Sequence, residues 1–219
     1  METVRSTDPE TIAMTLRDRL RRDTAGAHAR LDRGVVPRRL LGEGLTLDGY
    51  ARILHAYARA HATLEPRLAG FAELEPIRVG PSALPEFVPR LPGLERDLAG
   101  LAAAGFGPSP TDVGPPERAA HGTEATGSAD ARYLGLRYVL DGATRGADGI
   151  ARRLQRTLPE LRELEAFEYW TVQRRAARAW PAVVERISIV VPEAFAGEAV
   201  HEAIETFAEF ERAFGEVPT

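Results

Sequence analysis

Apolar positions along this chain recur three and four residues apart and never in sustained alternation, a pattern that predicts helices throughout. From Thr11 to about Arg33, Leu16, Leu20, Thr24 and His28 repeat every four residues and Leu31 follows at three. They draw one apolar stripe along a single helix. Gly34 and Pro37 are expected to end it. Tyr50, Ile53, Leu54, Tyr57, His61, Leu64 and Leu68 mark a second helix over Thr46 to Gly70, with Pro66 kinking its last turn or starting a separate one and Gly70 as its C-cap. The proline-rich stretch Glu75 to Pro92 reads as a connection, and Gly93 to Ala104 as a third helix. From Gly105 to Gly127 the composition shifts to Gly, Pro, Ser and Thr, which predicts a long surface connection. Beyond it, Leu158 to about Val191 reads as one bent helix or two short ones, with a short buried strand over Ile187 to Val191 as the alternative. Pro192 to Phe214 is the last helix, carrying Val200, Ala203, Ile204, Phe207, Phe210 and Phe214 at helical spacing. The expected architecture is all-α and single-domain, with about six to eight helices.

One helix stands apart. Tyr133 to Leu154 has helical character, N-capped by Ser128 or Asp130, yet it contains Gly142, Gly146 and Gly149. Glycine inside a helix costs about 1 kcal/mol relative to alanine, so three represent roughly 3 kcal/mol of lost local stability. Two uses of bare backbone could offset that. Gly142 and Gly146, four apart, lie on one helical face and could admit a neighbouring helix. The same face could instead lie against a flat ligand, with the glycines letting the helix bend over it.

Composition narrows the chemistry. The chain has 219 residues and a net charge of −4, which does not favour non-specific nucleic-acid binding. It has no lysine, hence no lysine Schiff base, and no cysteine, hence no disulfide, thiolate metal site or cysteine nucleophile. The polar start METVRSTDPE and the lack of an eighteen-residue apolar run lead to the expectation of a cytoplasmic protein without a membrane span.

The five histidines are the possible metal ligands. His121 falls in the polar loop and His55 at a surface or boundary position. His61 with Glu65, and His201 with Glu205, are pairs at i, i+4 that could present two ligands on one face, as a non-haem dimetal oxidase would need. His28 differs because it sits on an apolar stripe with Asp32 one turn later, where the carboxylate could take the Nδ1 proton and leave Nε2 for a metal. Arg21, two turns earlier, could pair with a carboxylate of a bound ligand.

The segment LRDRLRRDTAGAHARLD resembles the first helix of haem oxygenases, where a threonine and the haem-ligating histidine are followed by an acid one turn on. YVLDGATRGADGIARRL resembles their distal helix, closest to the bacterial branch associated with bacteriophytochromes. LTLDGYARILHAYARAHATLEPRL, LPGLERDLAGL and AIETFAEFERAF follow in the family's order and spacing. The resemblance spans about residues 13 to 215, leaving 1–12 and 216–219 as flexible termini.

It implies haem b, both substrate and cofactor, held between a proximal and a distal helix. His28 is then the axial iron ligand, Asp32 its hydrogen-bond partner and Arg21 a propionate contact. Tyr138, Gly142 and Gly146 belong to the distal wall, the two glycines giving oxygen access to the porphyrin edge. The implied activity is cleavage of haem to biliverdin, CO and iron with O₂ and electrons from a donor protein or small reductant, and the implied acceptor of the product is a bacteriophytochrome. A weakly active or non-catalytic haem-binding protein of the same fold is the alternative. Departures from the family's pattern motivate it: Ala143 for serine or aspartate, Arg145 for leucine, Ala147 for a glycine, and Pro181 for a propionate-binding arginine, with Arg174 and Arg178 as nearby substitutes.

Overall fold

The computed structural model describes residues 14–74, 84–107 and 128–218. Its helices are α1 (Leu16–Asp23), α2 (Ala25–Asp32), α3 (Val35–Leu41), α4 (Leu47–Leu74), α5 (Leu91–Ala103), α6 (Ala129–Gly142), α7 (Ala147–Thr157), α8 (Glu168–Ala176), α9 (Trp180–Ile187) and α10 (Glu193–Gly215). Short 3₁₀ turns lie between α6 and α7, after α7, and between α8 and α9. Among the described residues there is no strand, only an isolated antiparallel bridge between Thr15 and Val190. The strand alternative at 187–191 is thereby reduced to one contact, the Leu16 N–H donating to the Ile189 carbonyl at 2.8 Å. No described helix is long and apolar enough to cross a membrane. The expected connection over 108–127, the start of the first helix at Thr11, and His121 lie outside the described residues.

Three local expectations need correcting. The helix expected to run unbroken to Arg33 divides at Thr24, whose hydroxyl donates to the Leu20 carbonyl at 2.7 Å. Such back-bonding from a threonine bends a helix without ending its ladder, and the His28 N–H still reaches the Thr24 carbonyl at 2.9 Å. Gly34 and Pro37 do stop α2, but they also start α3: Gly34 is its N-cap, and Pro37 falls in the first turn, where an absent N–H leaves no bond unmade. The second helix passes through Pro66 and Gly70 to Leu74. Proline costs roughly 3 kcal/mol within a helix. Burying Leu64, Leu68 and Phe71 on the same stretch contributes about 1.5–3 kcal/mol each, so packing wins.

α10 is the common support. It lies closest to α6, where a Cβ on Gly135 would fall 2.1 Å from the Ala199 carbonyl oxygen; only glycine lets these two backbones touch. Glu202, fully buried on α10, ties in both neighbours: Arg67 of α4 at 2.6 Å and Arg132 of α6 at 3.1 Å. α2 leans on the same helix through Arg30–Glu211 at 3.0 Å. Across the molecule, Asp97 of α5 accepts the N–H groups of Glu168 (2.6 Å) and Tyr169 (2.9 Å), capping α8 from another element.

Candidate functional site

His28 stands on the outward side of α2 with 62% of its side chain exposed, edge-on to Phe207 of α10 at 5.8 Å between ring centroids. Its Nδ1 lies 2.9 Å from an Asp32 carboxylate oxygen. An N–H donated there fixes the tautomer that keeps a lone pair on Nε2, and it makes that nitrogen a better metal ligand. Asp32, one methylene shorter than glutamate, reaches the ring directly. Arg21 is exposed on α1, one helix earlier and across the Thr24 bend.

The glycine-bearing helix is broken where its glycines begin. α6 ends at Gly142, residues Ala143–Gly146 form a 3₁₀ turn, and α7 starts at Ala147. Because this turn departs from α-helical geometry, the spacing of four no longer gives Gly142 and Gly146 the same surroundings. A Cβ on Gly142 would meet Trp180 Cη2 and Cζ3, each at 3.4 Å, whereas one on Gly146 would meet nothing within 4 Å. Trp180 also lies 5.9 Å from the half-buried Tyr138 ring. Gly142 and Tyr138 thus share a wall with α9, and Gly146 borders open space. Gly149 is open too.

The substituted positions divide in the same way. Ala147 is 2% exposed, so its methyl belongs to the core. Ala143 and Arg145 face outward. Arg174 pairs with Asp148 of α7 at 3.1 Å, Arg178 is exposed, and Pro181 occupies the first turn of α9.

The α1–α2 and α6–α7 pieces are joined around their edges. α2 and α6 both rest on α10, through Phe207 and Ala199. α1 meets the segment just after α9 at Ile189, while α9 meets α6 at Trp180. α3, which follows α2, receives Arg153 of α7 at its Gly42 carbonyl.

The dimetal arrangement does not assemble. His61 is buried in the core, with its Nδ1 3.1 Å from Glu65, while His201 and Glu205 lie exposed on α10. Among the described residues no three His, Asp or Glu side chains are grouped to hold a metal ion. A groove of about 550 Å³ beside the α7–α8 connection, lined by Gln155, Leu158, Arg162, Phe167 and Thr171, includes none of the expected site residues.

Pattern reading missed the polar interior next to the 143–146 turn. Arg90 and Arg137 are both fully buried and converge on Asp141, with Arg90 Nη2 at 2.8 Å and Arg137 Nε at 2.6 Å. Arg137 also donates to the Tyr133 hydroxyl at 2.6 Å and the Pro85 carbonyl at 3.1 Å. The i, i+4 spacing of Arg137 and Asp141 was the available signal, but exposed pairs share it.

No curated protein matches the chain. The sequence pattern that defines the Heme oxygenase family matches residues 14–216. With the helical fold, the chain belongs to the heme oxygenase family.

Proposed function

We propose that the protein is a biliverdin-producing haem oxygenase of the bacteriophytochrome-associated bacterial type, acting in the cytoplasm. The observation that carries this reading is the His28–Asp32 pair: an exposed imidazole whose Nδ1 is engaged at 2.9 Å, leaving Nε2 for iron. The residues present fit haem. His28 offers the ligand, Arg21 an exposed cation for a propionate, and Gly146 a stretch of backbone with open space where a side chain would stand.

Bound haem, with O₂ and electrons from an external donor, supplies the oxidative chemistry that yields biliverdin, CO and iron. The chain's own part is positioning. Asp32 holds the His28 ring, so the iron-binding nitrogen is oriented before haem arrives. Trp180 and Tyr138 pack the start of the distal turn, and Gly146 keeps its far end free of side chain. Ala143 adds no polar group, so proton supply on this side falls to solvent rather than to a side chain at that position. Product transfer to a bacteriophytochrome follows from the same resemblance, and red-shifted absorbance on adding the apo-photoreceptor to a turnover mixture would report it.

A haem titration tests the site. Wild type should give a 1:1 Soret complex that His28→Ala does not form, and an unchanged spectrum for the variant would overturn the assignment. Adding reductant and air should convert the complex to biliverdin, identified by chromatography. A Soret band that persists while a known oxygenase bleaches would leave a haem-binding protein without the activity.

A further inference from the structure

Arg90, Asp141 and Arg137 form an ion cluster that neither ligates nor lines the open side at Gly146, and it sits immediately before the break in the distal helix. We propose that this cluster is a positioning device: it fixes where α6 ends and how the 143–146 turn is presented to haem, and thereby selects which edge of the porphyrin is cleaved. The inference rests on the haem oxygenase reading above.

Several contacts converge on that one residue. The Asp141 carboxylate is held on one oxygen by Arg90, at the start of α5, and on the other by Arg137, one turn back on α6. Its backbone carbonyl accepts the Thr144 hydroxyl at 2.5 Å, so the same residue anchors the first turn beyond the break. Gly142, next in the chain, abuts Trp180. The two arginines are themselves immobilised. Arg137 holds Tyr133 and the Pro85 carbonyl, and the Arg90 guanidinium lies 4.3 Å from the Phe87 ring centroid. The Arg90 backbone N–H donates to Glu65 of α4 at 2.6 Å. The position of Asp141 is therefore referred to α4, to α5, to the 85–90 segment and to α6 at once.

Stability alone does not account for such a cluster. Burying three charges carries a desolvation cost that apolar residues of equal volume would avoid, and buried ionic groups serve best where they fix one arrangement among alternatives. A helix changing from α to 3₁₀ geometry beside glycines has such alternatives, because its end can slip by a residue at little cost.

The test uses Arg137→Gln, which leaves Asp141 paired with Arg90, and the triple replacement Arg90→Met, Arg137→Met and Asp141→Leu, which removes every charge together and so leaves none unpaired. Amide hydrogen exchange on the haem-free protein should quicken at 143–149 by roughly tenfold while α4 and α10 stay as protected as in wild type. With haem, the Soret band due to His28 should be unchanged, and the share of minor biliverdin isomers should rise several-fold. Unaltered exchange at 143–149 in a folded triple variant, or faster exchange spread equally over all helices, would overturn the proposal. So would wild-type isomer ratios in an active variant. If wild type itself makes no biliverdin, the proposed activity fails, and the exchange result still decides whether the cluster positions the turn.

Discussion

Gly142 and Gly146 differ in what a side chain would touch, and that difference predicts opposite outcomes for one substitution. Leucine at Gly146 enters open space, and replacing glycine at a negative φ of −85° reduces the freedom of the unfolded chain, so apo stability should hold or rise by about 0.5–1 kcal/mol. Its bulk occupies the volume assigned to haem, so turnover should fall at least tenfold. Thermal unfolding beside a haem turnover assay checks this pair, and undiminished turnover would mean that Gly146 does not border the haem. Leucine at Gly142 must displace Trp180, and overpacking of that kind costs about 1–3 kcal/mol. Its unfolding midpoint should drop before any effect on turnover can be read, whereas Gly142→Ala makes only ordinary contact and should be tolerated. The sequence put both glycines inside one continuous helix, whereas the structure ends α6 at Gly142 and leaves Gly146 in the 3₁₀ turn. It could not tell them apart, because the distinction lies in a tryptophan 38 positions away from Gly142 in the chain.

At the scale of elements, α8 depends on a cap that is not its own. Asp97 accepts two N–H groups at the start of that helix, and Asp97→Ala would orphan both at a cost of about 1–3 kcal/mol, measurable by urea unfolding. Burial pushes the Asp97 carboxyl up to about 6, against the lowering effect of those two N–H groups. The sign follows from linkage. With a folded pKa above the unfolded value, the native state binds more protons between about pH 4 and 6, so this residue's contribution falls as pH rises through that window. The stability of wild type relative to Asp97→Asn should therefore decline from pH 4 to 6 and level off above; a flat difference would refute the assignment. Periodicity found α5 and α8 separately. Their dependence on one carboxylate was hidden, since an aspartate within a helix reads as a solvated residue until the neighbouring helix is placed against it.

For the molecule as a whole, α10 carries the arrangement, joining α2 through Phe207, α6 through Ala199 and α4 through Glu202. The core beside it contains His61, edge-on to Phe210 at 5.6 Å and Tyr169 at 6.1 Å, and burial lowers its pKa from 6.5. The unfolded chain protonates this imidazole below about pH 6.5 while the folded chain resists, so stability from His61 is present above that pH and is lost as pH falls. The stability of wild type relative to His61→Phe should therefore fall from pH 7 to 5 in chemical unfolding, and a flat difference would show that His61 is not a source of pH dependence. The sequence by itself determined the helical class, most helix positions and the His28–Asp32 pair, because those follow from three- and four-residue spacing along one strand of covalent chain. Only the tertiary structure decided the carry-through of α4 past Pro66, the split roles of the glycines and the burial of Arg90, Arg137 and Asp141. Each depends on which surfaces meet, and apolar contact or a distant partner there outweighs local propensities of 1–3 kcal/mol. The three glycines near one bend are the clearest instance: sequence counted their local cost, and packing assigned Gly142 to Trp180 while leaving Gly146 open.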